Sequence, residues 1–318
     1  VQNLAEQLDS PVVMTVNARG IVFEDHPLSI PASPSLAAIR DLIDKSDLVL
    51  AFGTELGPTD FDMYCDQGFS IPGKLVRIDL DPLQLQRNAR PDLALVGDAA
   101  LSIELLQKAL RDNDRNKAHK NGARRAAKAK DAAFSELTPD MREQISFLNT
   151  IKKALPKAVI IGDSTQPIYV GNLYYSPDQA KGWVNSGTGF GTLGYALPAA
   201  IGAKLATPDQ PVICLTGDGG IQFTLGELGA AMDAKTPIII LVWNNNGYKE
   251  IKTFMVDNDI SPEGVDPSAP DFTAIAKAYG LYAEHLSKAD DLTNALKRAE
   301  ASNRPALIQI EEILFTPK

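Results

Sequence analysis

The sequence predicts an α/β protein of two domains, each a parallel sheet flanked by helices. Three observations carry this expectation. Short β-branched runs alternate with helical patterns in both halves of the chain, and such alternation builds parallel sheets through crossover helices. The two series are separated by a stretch of different composition, residues 111–130, rich in alanine and lysine. Finally, 318 residues give room for about two domains at roughly 150 residues each.

In the first domain, residues 1–110, the opening stretch reads as helix through Leu4 and Leu8. Val1 is not a Met, and no basic segment precedes an apolar one, so this is no signal peptide. It reads as mid-helix, which leads to the expectation that an N-terminal piece is missing. Strands are predicted at 11–16, 48–52, 75–79 and 93–96, and helices at 35–45 and 99–110. Gly53-Thr54 and Asp79-Leu80-Asp81-Pro82 stand at strand ends, where open α/β sheets place ligands. Residues 111–140 are predicted as a helical linker. Its span 111–130 holds eight Lys or Arg and two Asp without interleaved aromatics, the pattern of a solvated helix rather than a nucleic-acid patch. In the second domain, 141–318, strands are predicted at 158–161, 212–215, 238–243 and 306–310. Helices are predicted at 193–205, 225–233, 272–279 and 289–300. Gly162, Gly217 and Asn244 each follow a strand, so they converge on the carboxyl edge of one sheet.

Composition excludes several partners. Acids outnumber bases, 40 to 31, for a net charge of −9, which argues against nucleic acid and against an anionic membrane surface. The longest clean apolar run, 238–243, is far short of the ~20 residues a membrane helix needs. Two cysteines, Cys65 and Cys214, make no disulfide framework and point to a reducing, cytoplasmic compartment. His26, His119 and His285 have no zinc-ligand spacing.

The chemistry concentrates in two motifs. Gly217-Asp218-Gly219-Gly220 closes one predicted strand, and Asn244-Asn245-Asn246-Gly247-Tyr248 closes the next. A carboxylate and an amide oxygen thus reach neighbouring strand ends. Hard oxygen ligands suit Mg²⁺, which often bridges to phosphates. The glycines let backbone N–H groups approach a phosphate, and a helix starting near Thr224 adds its positive end.

This pair resembles the diphosphate-binding motif of thiamine diphosphate-dependent enzymes. The resemblance implies that Asp218, Asn245 and the backbone carbonyl of Gly247 hold Mg²⁺. It places the cofactor's diphosphate against Gly217, Gly219, Gly220 and Tyr248. Residues 187–203, GTGFGTLGYALPAAIGA, resemble the loop and helix preceding that motif in acetolactate synthases and 2-oxo acid decarboxylases. Thr192 and Leu193 then contact the cofactor, Leu193 as the bulky residue that bends it. The pattern Gly189-x-Gly191-x-x-Gly194 lacks the leading strand and acidic partner of a dinucleotide site. Gly162-Asp163-Ser164-Thr165-Gln166 resembles a second contacting loop, with Ser164, Thr165 and Gln166 facing diphosphate or substrate.

Residues 11–20, PVVMTVNARG, with Glu24-Asp25-His26-Pro27-Leu28, Asp79-Leu80-Asp81-Pro82 and Val96-Gly97-Asp98-Ala99, resemble the central Rossmann-like domain of the same enzymes. Thr54-Glu55-Leu56-Gly57 stands where flavin-binding relatives often carry a basic residue, which argues against FAD. The resemblance also implies a pyrimidine-binding domain carrying the activating glutamate. That group is expected outside these residues, on a partner polypeptide or a missing N-terminal segment, so the catalytic residue is unknown here. Glu227 is read as helix surface or interface. An exposed apolar surface over 193–201 is expected to favour a homodimer or homotetramer.

The activity implied is decarboxylation of a 2-oxo acid. The nearest group by resemblance is the 5-guanidino-2-oxopentanoate decarboxylases, on the features Thr54-Glu55-Leu56-Gly57 with Asp60 and Asp62, and Asn246 to Ile251. A guanidinium needs a carboxylate partner; Glu250 is the first candidate, with Asp257, Asp259 and Glu263 beyond it. An acetolactate synthase-like carboligase, a flavin-linked oxidase and a non-catalytic cofactor-binding fragment are the alternatives.

Overall fold

The computed structural model describes residues 1–63, 69–111 and 121–317. Cys65 and His119, and part of the stretch read as a linker, lie outside the described residues. The chain forms two compact units: Val1–Leu137 with Asn172–Ser176, and Thr138–Gly171 with Pro177–Lys318. Among the described residues no helix is long and apolar enough to cross a membrane.

The first unit runs α1 (Gln2–Leu8), β1 (Val12–Val13), β2 (Ser29–Ile30), α2 (Ala37–Asp44), β3 (Leu48–Phe52), α3 (Pro58–Phe61), β4 (Lys74–Asp79), β5 (Leu93–Val96), α4 (Ala99–Arg111) and α5 (Gly122–Glu136). Strands β3, β4 and β5 form a parallel sheet in that order, and β1 pairs with β2 in a separate parallel pair. The strand predicted at 11–16 shrinks to Val12–Val13. Val16 starts a 3₁₀ turn, and its N–H donates to Asp60 Oδ1 at 2.7 Å instead of a neighbouring strand. An apolar cavity of about 450 Å³ is lined by Leu4, Leu8, Val12, Leu50 and Phe61 among others. The helix expected to be a solvated linker is packed on one side. Gly122, Ala126, Ala129 and Ala133 of α5 are buried at helical spacing, and α5 lies against α2 and β2. Its final Glu136 accepts from the N–H groups of Ala37 and Ala38, both at 2.7 Å, which caps the start of α2. Alanines at this period make a flat face and leave the lysines outside, so composition alone reads as a soluble helix.

The second unit runs α6 (Pro139–Ala154), β6 (Val159–Gly162), α7 (Gln166–Tyr174), β7 (Trp183–Asn185), α8 (Ala196–Ala206), β8 (Val212–Gly217), α9 (Asp218–Ile221), α10 (Glu227–Asp233), β9 (Ile239–Asn244), α11 (Lys249–Asp257), α12 (Phe272–Ala278), β10 (Tyr282–His285), α13 (Leu292–Ala301) and β11 (Ala306–Glu311). Residues Asn172–Ser176, the last three of α7 and the two that follow it, group with the first unit. The sheet order is β10-β11-β9-β8-β6-β7, all parallel. Every residue of β6, β8 and β9 is buried, the signature of parallel strands covered on both faces. Below β8 and β9 the core joins Ala196, Leu197, Ala200 and Ile201 of α8 with Leu228, Phe272 and Leu307.

Two predicted helices start elsewhere. The helix expected at 193–205 begins at Ala196, because Gly191 (φ +65°) and Gly194 (φ +84°) hold left-handed turns that no right-handed helix contains. The helix expected at 225–233 is preceded by helical turns starting at Asp218 itself. Helix α12 starts at an Asp271 cap whose carboxylate accepts from Ala274 N at 2.9 Å and Thr273 Oγ1 at 2.7 Å. The Ala274 N–H, then the Thr273 hydroxyl, hold the Asp271 carboxyl below its ordinary pKa. A depressed folded pKa gives stability that is present above the unfolded pKa and is lost as pH falls through the folded one. Asp271→Asn is therefore expected to flatten part of the acid limb of stability between pH 5 and 3. Urea denaturation across that window checks it, and an unchanged slope would remove the cap from the account.

Candidate cofactor site

The site forms where β8 and β9 end side by side. At Gly217 the chain leaves β8, and Asp218 opens the first helical turn. Asp218 is 1% exposed. Burial raises its carboxyl above the usual range, opposed by the backbone N–H groups of Asn245 and Gly247. Its Oδ1 accepts from Asn245 N at 3.4 Å, and its Oδ2 is buried with no hydrogen-bond partner. A buried carboxylate oxygen without a donor is costly, unless a cation completes it.

Asn244 ends β9, and the chain then reverses. Asn246 adopts φ +62° and Gly247 φ +137°. A Cβ on Gly247 would stand 2.6 Å from the Val265 carbonyl oxygen, so only glycine fits. The reversal turns the end of the Asn245 side-chain amide toward the Gly247 carbonyl oxygen, 2.9 Å away, and Asp218 Oδ1, 3.2 Å away. With nitrogen at that point the amide donates to both; with oxygen there, three oxygens converge with no proton between them. Which form holds is set by what sits among them. One carboxylate, one amide oxygen and one carbonyl are the donors Mg²⁺ prefers, and the unpartnered Asp218 Oδ2 gives a cation a reason to be there. The residues therefore fit the metal. Among the described residues no group of three or more His, Cys, Asp or Glu side chains could hold a metal, and this trio contains only one such residue.

The same cleft is lined by Ser164, Thr165, Gln166, Leu193, Gly217, Gly219, Gly220, Tyr248 and Glu250. A Cβ on Gly219 would lie 2.5 Å from Tyr248 Cε1, so the tyrosine ring rests directly on that glycine. Ser164 Oγ donates to the Gly191 carbonyl at 3.1 Å and lies 3.1 Å from Ser186 Oγ. Gln166 Nε2 donates to Glu250 Oε2 at 2.6 Å. Lys249 and Ile251, within the run 246–251, also line the cleft, as does Tyr169, which was not anticipated. Tyr169 lies three residues after Gln166 on α7, and that helical spacing is the signal that would have found it.

Several expected residues are not brought here. Thr192 is exposed and does not line the cleft. Asp257, Asp259 and Glu263 are exposed beyond it. Of the acids in the first unit, Glu55 pairs with Arg87 at 3.2 Å, Asp62 with Arg40 at 3.4 Å, and Asp60 serves Val16 N. The expected apolar surface over 193–201 is mostly internal: Ala196, Leu197, Ala200 and Ile201 are buried, because α8 uses that face for its own core. Phe190 is fully exposed instead, and α11 buries none of its residues.

Comparison with known proteins shows the family. The model for "Thiamine pyrophosphate enzyme, C-terminal TPP binding domain" matches residues 163–310, and that for "Thiamine pyrophosphate enzyme, central domain" matches residues 1–106. The chain belongs to the thiamine pyrophosphate enzyme family. It is 35% identical over 309 residues to a probable 2-ketoarginine decarboxylase, AruI, of Pseudomonas aeruginosa, covering 96% of this chain and 54% of that protein. It is 27% identical over 331 residues to a probable acetolactate synthase large subunit of Methanococcus aeolicus, covering 96% and 54%. It is 27% identical over 319 residues to the acetolactate synthase isozyme 3 large subunit of Escherichia coli, covering 94% and 53%. The chain thus spans about half the length of the curated relatives it matches. The match to the C-terminal domain begins at Asp163 and takes in the whole cleft up to Ile251.

Proposed function

We propose that the chain holds Mg²⁺ and the diphosphate end of thiamine diphosphate for decarboxylation of a 2-oxo acid carrying a guanidino group. The observation that carries the cofactor reading is the convergence of Asp218, Asn245 and the Gly247 carbonyl beside an unpartnered carboxylate oxygen. When bound, the cofactor supplies a carbon nucleophile for the substrate carbonyl and accepts the electron pair left as CO₂ departs. This chain's residues hold and orient. Asp218, Asn245 and Gly247 take the metal, and Gly219 and Gly220 give a phosphate close access to backbone N–H groups. Leu193 supports the cofactor from the loop. Residues 141–318 are the diphosphate-binding domain, and residues 1–110 a supporting domain without flavin. The activating glutamate comes from a pyrimidine-binding domain, on a partner polypeptide or segment, in a homodimer or homotetramer of the cytoplasm.

The substrate reading rests on Glu250. It lies in the cleft, held by Gln166, and its free edge suits a guanidinium. The similarity to a probable 2-ketoarginine decarboxylase points the same way. The several acetolactate synthases among the relatives favour carboligation from pyruvate as the second reading. The test is kcat/KM for 5-guanidino-2-oxopentanoate against pyruvate, measured with the pyrimidine-binding partner present. The guanidino acid is expected to win. Glu250→Gln is expected to lower that preference about three- to tenfold, a modest figure because Glu250 is exposed and its pairing is screened. A preference for pyruvate overturns the substrate; an unchanged ratio in Glu250→Gln removes only the residue.

A further inference from the structure

The loop at the end of β9 is held from a strand that does not line the cleft. Strand β11 runs beside β9, and its last residue, Glu311, is the register partner of Asn244. The Asn244 amide nitrogen donates to both Glu311 oxygens, at 3.1 and 2.9 Å. Two further donors fix that carboxylate: Gln309 Nε2 at 2.8 Å and, from β10, His285 Nε2 at 3.1 Å. An ionised carboxylate only accepts, so it selects one orientation of the Asn244 amide. Asn244 Oδ1 must then face the loop, where it accepts from Asn246 N at 3.2 Å. That contact holds Asn246 in its left-handed conformation and sends Asn245 and the Gly247 carbonyl toward Asp218.

The neighbouring Glu312 holds the other end. Its Oε2 accepts from Lys249 Nζ at 2.5 Å, where α11 begins, and its Oε1 from Trp243 Nε1 at 3.3 Å. Both glutamates lie just past residue 310, where the match to the C-terminal domain stops.

We propose that Glu311 and Glu312 form a two-point clamp that positions loop 244–249 for metal binding. They are positioning residues, since neither reaches the three oxygens. The proposal rests on the reading of Asp218, Asn245 and Gly247 as the Mg²⁺ site.

The test is the Mg²⁺ concentration that half-saturates binding of thiamine diphosphate, read by titration calorimetry, with the melting temperature of the cofactor-free chain measured alongside. Glu311→Ala is expected to raise that concentration about tenfold or more, the scale usual for residues that orient metal ligands. Glu311→Gln keeps an oxygen for the Asn244 amide and is expected to recover most of the loss. Asn244→Ala is expected to match Glu311→Ala, and the double variant to be no worse than either, because both break one connection. Glu312→Gln is expected to cost about threefold, since Lys249 is half exposed and its ion pair is screened. Unchanged Mg²⁺ dependence in Glu311→Ala overturns the clamp, whether or not melting falls. Should Glu311→Ala not fold, Asn244→Ala and Glu312→Gln decide: no shift in either overturns it. Asp218→Ala separates the two readings. If it too leaves Mg²⁺ dependence untouched, the metal site itself is wrong; if it abolishes binding while the glutamate variants do nothing, only the clamp fails.

Discussion

Asp218→Ala is expected to weaken Mg²⁺-dependent binding of thiamine diphosphate by at least about tenfold, or ~1.4 kcal/mol. The variant removes the only charged member of the converging trio. It also removes a carboxylate oxygen that is buried without a donor, so the cofactor-free protein has little to lose. That asymmetry makes the prediction specific. An ordinary buried aspartate would stabilise the empty protein through its hydrogen bonds, and alanine there would lower the melting temperature first. Here the carboxylate's contacts come chiefly from the loop that would share the metal, Asn245 N at 3.4 Å and the Gly247 N–H, and burial opposes its charge. Calorimetric titration with Mg²⁺ and thiamine diphosphate, paired with thermal melting without them, distinguishes the cases. Unchanged affinity in Asp218→Ala would sink the metal assignment. A large fall in melting temperature with affinity intact would recast Asp218 as structural.

Much of this site is legible in the sequence because its demands are local. A reversal at Gly247 that leaves 2.6 Å for a Cβ permits glycine alone, and Gly219 under the Tyr248 ring is constrained in the same way. Such positions write themselves into a motif. Strands β8 and β9 are equally plain, since burial on both faces turns them into unbroken apolar runs. What stays hidden depends on distant partners. Strand β10, Tyr-Ala-Glu-His, lies at the sheet edge with three half-buried residues and one exposed, too short and too polar to stand out. The α8 start depends on Gly191 and Gly194 taking positive φ, and the run through Leu193 reads as helix until that is known. Helix α5 hides its packing for a different reason. Alanine is equally suited to a solvated helix and to a close helix contact, so its buried stripe carries no hydrophobic signature. Glu311 serves Asn244 across 67 positions, and no spacing rule reaches so far.

Asp163 shows the same limit and carries the largest expected effect on stability. It is 1% exposed at the end of β6. Its Oδ2 accepts from Gly194 N at 2.7 Å and Thr216 Oγ1 at 3.3 Å, and its Oδ1 from Ser164 N at 2.9 Å. One carboxylate thereby ties the loop carrying Leu193 to the ends of β6 and β8, either side of the cofactor cleft. Removing it leaves the buried Gly194 N–H and the half-buried Ser164 N–H without a partner and the Thr216 hydroxyl with only the Gly217 carbonyl at 3.4 Å, each lost bond worth about 1–3 kcal/mol. Asp163→Ala is therefore expected to destabilise the chain by about 3 kcal/mol or more at pH 7. Asp163→Asn keeps one acceptor oxygen and is expected to lose less. The pH dependence adds a second check. Burial raises the Asp163 carboxyl above its ordinary value, against the lowering effect of Ser164 N–H, Gly194 N–H and the Thr216 hydroxyl. A raised folded pKa means that its contribution is fully present below the unfolded pKa and declines as pH rises through the folded one. In Asp163→Asn that decline should vanish, so the stability difference from the parent should depend on pH above the usual carboxylate range. Urea denaturation of both variants from pH 4 to 7 measures it. A loss under about 1 kcal/mol in Asp163→Ala, less than one orphaned donor, would mean that the carboxylate does not hold the Leu193 loop.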